Sequence, residues 1–358
     1  MEIAITGLVN SGKTTIFNAL TGLNLETSIY PSSPSEPHPG LVKVPDIRID
    51  ELSKIFKPKK ITYSTIEYKD FMGISRGGLL QNRKVFDALK DADAFVETIR
   101  VFKDDSVVHQ ESTVDPVRDA LNVEMELIFA DLDLVEKRIT RMEDGLRRGK
   151  KPDEAEMRLL TRVRALLEQE KPLRSVDFTE TELKELRHLQ FVSIKPKIIV
   201  LNMGEGDTEP AGTISEISRK LNFPTQFIIP VYGKIEMEIG QLPPDEAKEF
   251  LDDLNIGEPA LKKLIRAGYS LLGLISFLTV GPDEVRAWTI KQGNTALEAA
   301  GKIHSDIERG FIRAEVVSYT DFMAAGSVAD ARKAGTVRLE GKTYLVNDGD
   351  IVNFRFNV

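Results

Sequence analysis

The sequence predicts an α/β protein with a mostly parallel sheet, an antiparallel helical hairpin inserted into it, and a small C-terminal β-grasp-like domain. Three features support this class. Apolar strands alternate with helical stretches, which is typical of a parallel sheet covered on both faces. A heptad repeat interrupts that alternation, and the C-terminal part contains short strands around one helix. The length of 358 residues fits two or three domains at about 150 residues each.

The chain begins with a strand, a glycine-rich loop and a helix. Residues 7–14 read Gly-Leu-Val-Asn-Ser-Gly-Lys-Thr and match every fixed position of the phosphate-binding pattern G-x-x-x-x-G-K-[ST]. Glycines let several backbone N–H groups point at one phosphate, and the helix dipole adds positive potential. Lys13 supplies a charge for the β- and γ-phosphates, and the Thr14 hydroxyl can ligate Mg²⁺. The predicted triphosphate-binding residues are Asn10, Ser11, Gly12, Lys13, Thr14 and Thr15.

Further strands extend this sheet. A polar stretch at residues 30–39 contains four prolines and is predicted to be a long surface loop. Strands are predicted at residues 40–44, 62–69, 94–101, 197–202 and 226–231, and a helix begins at residues 85–89. Ligands of such sheets bind beyond the carboxyl ends of the strands, where the phosphate-binding loop also lies.

The heptad repeat predicts the helical hairpin. Apolar residues follow one another at alternating spacings of four and three: Leu121, Met125, Ile128, Leu132, Val135, Ile139, Met142 and Leu146. After helix-breaking residues at 149–153, apolar residues return at helical spacing. We therefore predict a helical arm at 115–190, inserted into a nucleotide-binding domain formed by 1–114 and 191–275. The basic tip at 147–151 either contacts RNA phosphate or is a solvated turn.

The C-terminal part is predicted to be a β-grasp-like domain at 276–358. Its strands are expected at residues 277–280, 284–290, 311–317, 336–339 and 351–356, with one helix at 294–309 and a turn at 347–350. Modules of this kind more often bind partners than catalyse. The lone Trp288 is interpreted as a core residue, with a ligand-stacking role as the alternative.

Composition excludes several classes of protein. No apolar run reaches about 18 residues, so no membrane span is expected. The absence of cysteine excludes disulfides and cysteine-based metal sites, and four scattered histidines make a zinc site unexpected. The net charge of −8 argues against a globally basic nucleic-acid binder while leaving room for a local basic face. With no room for a signal peptide before the first strand, we expect a cytoplasmic monomer that binds neither membrane nor DNA.

Three further segments are predicted to lie near the nucleotide. Asp70 ends a strand and suits a Mg²⁺ carboxylate, and Gly73 completes an Asp-x-x-Gly spacing whose N–H can contact a γ-phosphate. Asn202, Met203 and Glu205 stand where GTP-specific proteins have Asn-Lys-x-Asp. The longer Glu weakens guanine selection, which depends on an aligned pair of hydrogen bonds, so ATP becomes a substrate candidate. Gly233, after the last strand, is expected to donate its N–H to the base.

Together these residues resemble the Obg-like ATPase (YchF-type) family over essentially the whole chain. The likeness is carried by residues 7–15, 130–133, 202–205 and 234–236 and, in the C-terminal part, by residues 284–289, 299–304, 310–315 and 348–358, which are similar to the family's TGS domain. The resemblance implies a cytosolic nucleoside triphosphatase that uses Mg²⁺, binds ATP at least as well as GTP, and associates with ribosomes and their RNA.

The resemblance also implies roles for single residues. Ile74 occupies the position of the water-orienting Gln of Ras-like enzymes, in agreement with the family's hydrophobic substitution. The family has been proposed to use a His in a mobile loop instead, and the matching residue is His109, which we predict to be catalytic together with Lys13 and Gly73. The alternative is that His109 has no role. Asn10 matches an Asn that coordinates an activating K⁺ in some relatives.

The chain also departs from the family pattern. The loop position that carries a Mg²⁺-binding Thr is Pro34 here, with Ser33 or Ser35 as open substitutes, and Met72 is bulkier than the usual Ala. These changes affect γ-phosphate sensing and leave the binding loop intact. The two leading hypotheses are a slow ATPase that acts as a ribosome-associated switch and a nucleotide-stabilised scaffold without turnover. A GTP-specific factor is the third.

Overall fold

A computed structural model describes residues 1–25, 37–149, 151, 153–208, 210–253 and 258–357. The chain folds into two compact units. The first unit comprises Met1–Leu41 and Glu67–Leu264, and the second comprises Val42–Ile66 and Ile265–Val358. Among the described residues, we find no helix with the length and apolar character needed to cross a bilayer.

The secondary structure follows the chain as a series of strands and helices. The strands are β1 (Glu2–Thr6), β2 (His38–Lys43), β3 (Lys60–Thr62), β4 (Thr65–Asp70), β5 (Ala94–Arg100), β6 (Lys197–Asn202), β7 (Ile228–Val231), β8 (Leu274–Thr279), β9 (Glu284–Lys291), β10 (Phe311–Ser318), β11 (Arg338–Glu340) and β12 (Asp350–Phe356). The helices are α1 (Lys13–Thr21), α2 (Ile47–Phe56), α3 (Leu79–Leu89), α4 (Pro116–Arg147), α5 (Glu154–Glu168), α6 (Glu180–Leu186), α7 (Ala211–Leu221), α8 (Gly233–Ile239), α9 (Pro244–Asp253), α10 (Ala260–Leu271), α11 (Ala296–Ile303), α12 (Ser305–Arg309), α13 (Tyr319–Ala325) and α14 (Val328–Lys333).

The first unit is built on a six-stranded sheet with the order β2-β4-β1-β5-β6-β7. Strand β1 pairs in parallel with β4 and β5, and the parallel ladder continues through β6 to β7. Every residue of β5 and β6 is buried, as expected for central strands covered on both faces. The predicted α/β class is confirmed, and the carboxyl ends of these parallel strands meet at one edge of the sheet.

The prediction of one continuous strand at residues 62–69 is wrong, because this part of the chain forms two strands. The chain forms β3, which pairs with β9, and then β4, which pairs with β1. At Ser64, between the two strands, the carbonyl accepts from Val44 N (2.8 Å), and the hydroxyl lies 3.2 Å from Ser276 Oγ. Alternating side chains mark extended backbone, but they do not say which sheet each part joins.

The helical hairpin is confirmed. Helices α4 and α5 pack through a buried cluster that includes Val135, Ile139, Leu160 and Val163. The heptad prediction fails only at its ends, where Leu146 is 41% exposed and Leu121 lines a cleft beside α7. The interior of the repeat therefore forms the seam.

A buried polar network fixes the base of this hairpin to the sheet. Lys197 Nζ on β6 donates to Glu97 Oε2 on β5 (2.6 Å) and to Glu124 on α4. Burial works to raise the pKa of Glu124, but Lys197 and Arg174 hold that pKa at about 2. Nearby, the Asp131 carboxylate accepts the backbone N–H groups of residues 192 and 193 at 2.9 and 2.7 Å. Through these hydrogen bonds, Glu124 and Asp131 connect α4 rigidly to the sheet and to the residues before β6.

The second unit is a six-stranded sheet with the order β11-β10-β12-β8-β9-β3. Helix α11 packs on one cluster, which contains Phe277 and Phe354, while α2 and α13 contribute to another cluster around Leu278. Trp288 stacks on Phe277 with ring centroids 6.3 Å apart, and its Nε1 donates to Thr279 Oγ1 (2.9 Å), which agrees with the interpretation of this Trp as a core residue.

Two details differ from the predictions for this part. The single helix expected at 294–309 is divided at His304, whose backbone is extended (φ −164°, ψ 144°) and whose ring caps α12. Residues 42–66, expected in the nucleotide-binding domain, group with the C-terminal unit. The reason is long-range packing: Leu52 of α2 is fully buried in the second unit, and Arg48 Nη1 donates to Asp348 Oδ2 (2.8 Å).

Candidate nucleotide-binding site

The phosphate-binding loop joins β1 to α1 at the carboxyl edge of the first sheet. Gly7 has φ +140°, and a Cβ there would lie 2.3 Å from the carbonyl oxygen of Thr98. Gly12 has φ +88°, and its Cβ would lie 2.0 Å from Asn202 Nδ2. Both positions therefore require glycine. Since Gly12 precedes α1 and has no side chain to cap the helix, the first N–H groups of α1 stay free for an anion.

Asn202 supports this loop from β6. Its Nδ2 donates to the backbone oxygen of Ser11 (3.1 Å), and the Asn side chain is buried. A Cβ on Gly233, the first residue of α8, would lie 2.8 Å from Asn202 Oδ1. The neighbouring Met203 is also buried and bonds to Val231 through its N–H (2.8 Å). Asn202 and Gly233 thus lie together at the phosphate loop, whereas the Met203 side chain packs in the buried cluster that contains Ile99 and Ile217.

The predicted metal ligands are in direct contact. Thr14 Oγ1 donates to Asp70 Oδ2 at 2.7 Å. The other oxygen, Asp70 Oδ1, is buried and has no hydrogen-bond partner among the residues that the structure describes. Burial raises the pKa of Asp70, and the Thr14 hydroxyl and the Lys13 charge oppose that shift. An unsatisfied carboxylate oxygen beside a hydroxyl is a hard-oxygen donor set that fits Mg²⁺.

Lys13 is buried within the loop. Its Nζ donates to the backbone oxygen of Leu8 (2.9 Å). Burial lowers the pKa of Lys13 to about 8, although the Asp70 carboxylate opposes this. The charged form of this amine is therefore poorly compensated inside the protein, and a bound polyphosphate would supply the missing counter-charge.

The segment after Asp70 leaves no polar side chain at the position of the Ras-type Gln. Gly73 lies against the phosphate loop, and a Cβ there would be 2.7 Å from the Cα of Val9. Ile74 is fully buried in the cluster with Leu8, and its N–H donates to the Gly7 oxygen (2.9 Å). The side chain at this position therefore cannot orient a water molecule.

His109 lies in the loop between β5 and α4, beside the phosphate loop. Its Nε2 is 2.9 Å from Asp119 Oδ2, and its Nδ1 accepts the N–H of Glu111 (3.1 Å). Asn10 Nδ2 donates to the Val108 oxygen (3.0 Å), which fastens this loop to the phosphate loop. His109 thus lies close to the site, but both of its ring nitrogens already have partners.

Two groups near the base segment were not predicted. Asp207 Oδ2 accepts the N–H of Gly204 (2.7 Å), and the Asp207 carbonyl accepts from Tyr232 Oη (2.8 Å), while the predicted Glu205 is exposed. Arg100 donates to the carbonyl oxygens of residues 102, 104 and 107, and its guanidinium lies 4.5 Å from the centroid of the Phe102 ring. Asp207 follows a Gly-x-x-Asp turn pattern, but no local pattern marks Arg100.

Some of the predicted positions fall outside the residues that the structure describes. Pro34, Ser33 and Ser35 belong to residues 26–36, which lie outside the described part of the chain, as does Lys150 of the basic tip. Thr15 lies in the first turn of α1 and is partly buried.

Comparisons with known proteins find relatives over the whole length of the chain. A family model described as "50S ribosome-binding GTPase" matches residues 2–130, and the YchF-GTPase C-terminal model, described as a protein of unknown function (DUF933), matches residues 274–357. Over its full length, the chain is 42% identical to the ribosome-binding ATPase YchF of Bacillus subtilis (strain 168), of which it covers 100%. It is 37% identical to the protein of the same name from Escherichia coli O157:H7, with 99% of that protein covered.

Solved structures give the same result. The YchF GTPase of Schizosaccharomyces pombe has a TM-score of 0.83 at 28% identity, with 99% of this chain and 97% of that chain covered. A GTP-binding protein from Pyrococcus horikoshii OT3 has a TM-score of 0.58 at 19% identity over 100% of both chains, a likeness that supports the fold alone.

Proposed function

Since the chain belongs to the YchF family, we propose that it binds ATP or GTP at the 7–14 loop, hydrolyses the β–γ phosphoanhydride bond slowly, and acts as a ribosome-associated switch. Relatives that are 37–42% identical are named ribosome-binding ATPases. The single observation that carries the proposal is the complete phosphate loop together with the Thr14–Asp70 hydrogen bond of 2.7 Å. A triphosphate and its cation need this combination of free N–H groups, an ammonium and hard oxygen donors.

We assign Thr14 and Asp70 as the Mg²⁺ ligands from the protein. When bound, Mg²⁺ neutralises charge on the β- and γ-phosphate oxygens. The unsatisfied Asp70 Oδ1 supports this assignment. For K⁺ we propose the side-chain oxygen of Asn10, because the amide nitrogen of that side chain is already bonded to the Val108 carbonyl.

In the proposed reaction, Lys13 and the Gly73 N–H bind the transferred phosphoryl group, and His109 orients or deprotonates the attacking water. A histidine can do this only through a free ring nitrogen. His109 must therefore exchange at least one of its present partners, Asp119 or the Glu111 N–H, before the reaction. This requirement is consistent with slow turnover.

ATP is the preferred substrate in this proposal. The segment 202–205 supplies no aspartate at the guanine-reading position, and Glu205 is exposed. A nucleotide-binding scaffold without turnover is the second candidate. The burial of Ile74 favours this candidate, because the position of the water-orienting Gln then has no polar side chain. A GTP-specific enzyme remains the third candidate.

We further propose that the basic hairpin tip contacts ribosomal RNA and that the C-terminal unit is a TGS-type partner-binding domain. Residues 147–149 and 151 are all exposed, so the cationic side chains of Arg147, Arg148 and Lys151 are accessible to phosphate. We also propose a functional division into a nucleotide-binding domain (1–114 and 191–275), an arm (115–190) and a partner domain (276–358), with residues 42–66 and 265–275 belonging to the compact unit of the partner domain.

Steady-state phosphate release in Mg²⁺ and K⁺ tests the enzyme proposal. The control is Lys13→Ala, which removes the phosphate-binding ammonium. We expect wild-type turnover with ATP to exceed that of the variant by at least about tenfold, as for other groups that bind the transition state. Equal phosphate release from both proteins would favour the scaffold, and faster turnover with GTP would favour the third candidate.

A further inference from the structure

The loop from β5 to α4 is attached to three parts of the first unit at once. Its Val108 carbonyl accepts from Asn10 of the phosphate loop (3.0 Å). Its Glu111 carboxylate accepts from Arg76 Nη1 (2.9 Å), just after Gly73 in the chain. Its His109 ring bonds to Asp119, in the first turn of α4 (2.9 Å). The imidazole proposed for catalysis is therefore held on the hairpin helix.

The hydrogen bonds of the ring define its chemical state. A neutral imidazole has one N–H donor and one acceptor nitrogen. The Glu111 N–H points at Nδ1, so Nδ1 must accept, and the proton must lie on Nε2, facing Asp119 Oδ2. No lone pair is left to accept a proton from water or to orient it. As held by Asp119, His109 cannot perform the role proposed above.

Asp119 keeps its position without His109. It is only 1% exposed, and its other oxygen, Oδ1, accepts from Arg118 Nε (3.1 Å) and Nη2 (2.9 Å). The same guanidinium also donates to the hydroxyl of Thr113 (3.0 Å) and to its carbonyl (2.6 Å). Asp119 Oδ1 thus binds the Arg118 guanidinium, and Asp119 Oδ2 binds the histidine ring. A hydrogen bond from an N–H to a buried carboxylate is of the strong, charge-assisted kind.

We propose that Asp119 is a positioning residue that retains His109 on α4, so that the first turn of the hairpin helix gates nucleotide hydrolysis. The inference rests on the proposed function, because it requires His109 to act in hydrolysis. His109 and Asp119 line a narrow cleft together with Val9 and Ser11, so the histidine is already adjacent to the phosphate loop. Any partner that shifts α4 would then change the fraction of His109 that is free to react.

The test is steady-state ATP hydrolysis by the full-length protein with Asp119→Asn. The amide keeps the size of the carboxylate and removes its charge, so it weakens the bond to the Nε2 proton. We expect kcat to rise about three- to tenfold with KM for ATP unchanged, since the population of free His109 increases by that factor. The double variant Asp119→Asn, His109→Ala should match His109→Ala alone, because without the imidazole there is nothing to release.

Asp115→Asn is the matched control. Asp115 caps the same helix turn through the N–H groups of Val117 and Arg118 and makes no bond to His109 in the described structure. Asn caps helices as well as Asp, so kcat should stay at the wild-type value. An equal rise in kcat for this control would show a general effect of charge and would overturn the proposal. A fall or no change in kcat for Asp119→Asn would also overturn it, since Asp119 would then assist His109 or be irrelevant to it.

A second measurement does not depend on a variant of Asp119. Nitrogen-15 spectra of the four histidine rings, with His109 assigned by its loss in His109→Ala, report the tautomer directly. We expect the Nε2–H form in the nucleotide-free protein. A freely exchanging imidazole would overturn the proposal. If His109→Ala leaves kcat unchanged, the catalytic role of His109 and the gate both fail. If that variant is slow but Asp119→Asn is not fast, only the gate fails.

Discussion

Asn202 offers the sharpest test of how the site is built. Its buried Nδ2 donates to the Ser11 carbonyl of the phosphate loop (3.1 Å), so Asn202→Ala would leave that carbonyl without this donor. Leaving a buried polar group unpaired costs about 1–3 kcal/mol. If the loop must hold its conformation to bind phosphate, this cost corresponds to about 5- to 150-fold weaker ATP binding.

Asn202→Asp should be worse than Asn202→Ala. The aspartate has the same shape but places a carboxylate oxygen, in place of the N–H donor, toward the Ser11 carbonyl oxygen. Titration calorimetry with Mg-ATP measures both variants, and Asn353→Ala, a polar exchange in the second unit, is the control that should bind normally. Wild-type affinity in both Asn202 variants would refute the reasoning.

The same assay separates the two roles of Asn202. If its main task is to support the loop, inorganic tripolyphosphate should lose affinity by the same factor as ATP. If Asn202 acts through the base alone, tripolyphosphate binding should not change in either variant.

Three further outcomes are expected. His109→Ala should lower kcat with little change in ATP Kd, measured by phosphate release and calorimetry, and an unchanged kcat would mean that the residue has no catalytic role. Neutralising the basic tip (Arg147, Arg148, Lys150 and Lys151) should weaken cosedimentation with ribosomes and make it less dependent on salt concentration. Unchanged cosedimentation would mean that the tip is a solvated turn with no role in ribosome binding. The third concerns Lys13, whose pKa of about 8 in the folded protein lies below its ordinary value of 10.5. Between these pH values only the unfolded chain holds the proton, so the nucleotide-free protein should gain up to about 3 kcal/mol of stability as pH rises through this window. Urea unfolding should show that gain in wild type and not in Lys13→Met, and equal pH profiles would contradict the assignment.

Much of the fold could be predicted because its signals are local. The phosphate loop follows from the residue types at four positions, and the seam of the hairpin follows from the spacing of residues such as Val135 and Ile139. Both patterns consist of residues that are close together in sequence, so they can be recognised without knowledge of distant partners.

The remaining features depend on contacts between residues far apart in sequence. Residues 42–66 look like part of the nucleotide-binding domain, yet Arg48 bonds to Asp348, and Ile49 and Leu52 of α2 are buried in the core of the second unit. The structure places most of the predicted site residues at the phosphate loop. The sequence does not indicate which groups form hydrogen bonds with them. The pairing of His109 with Asp119 joins a loop to a helix turn, and neither residue type nor spacing indicates that bond.

The central claim is that the 7–14 loop binds a magnesium-bound nucleoside triphosphate. Titration calorimetry of the full-length protein with ATP, in Mg²⁺ and again in excess EDTA, tests it most directly, with Lys13→Ala alongside. The account predicts saturable binding with one site per chain that weakens without Mg²⁺ and is lost in the variant. Equal ATP affinity in Lys13→Ala and wild type would contradict it.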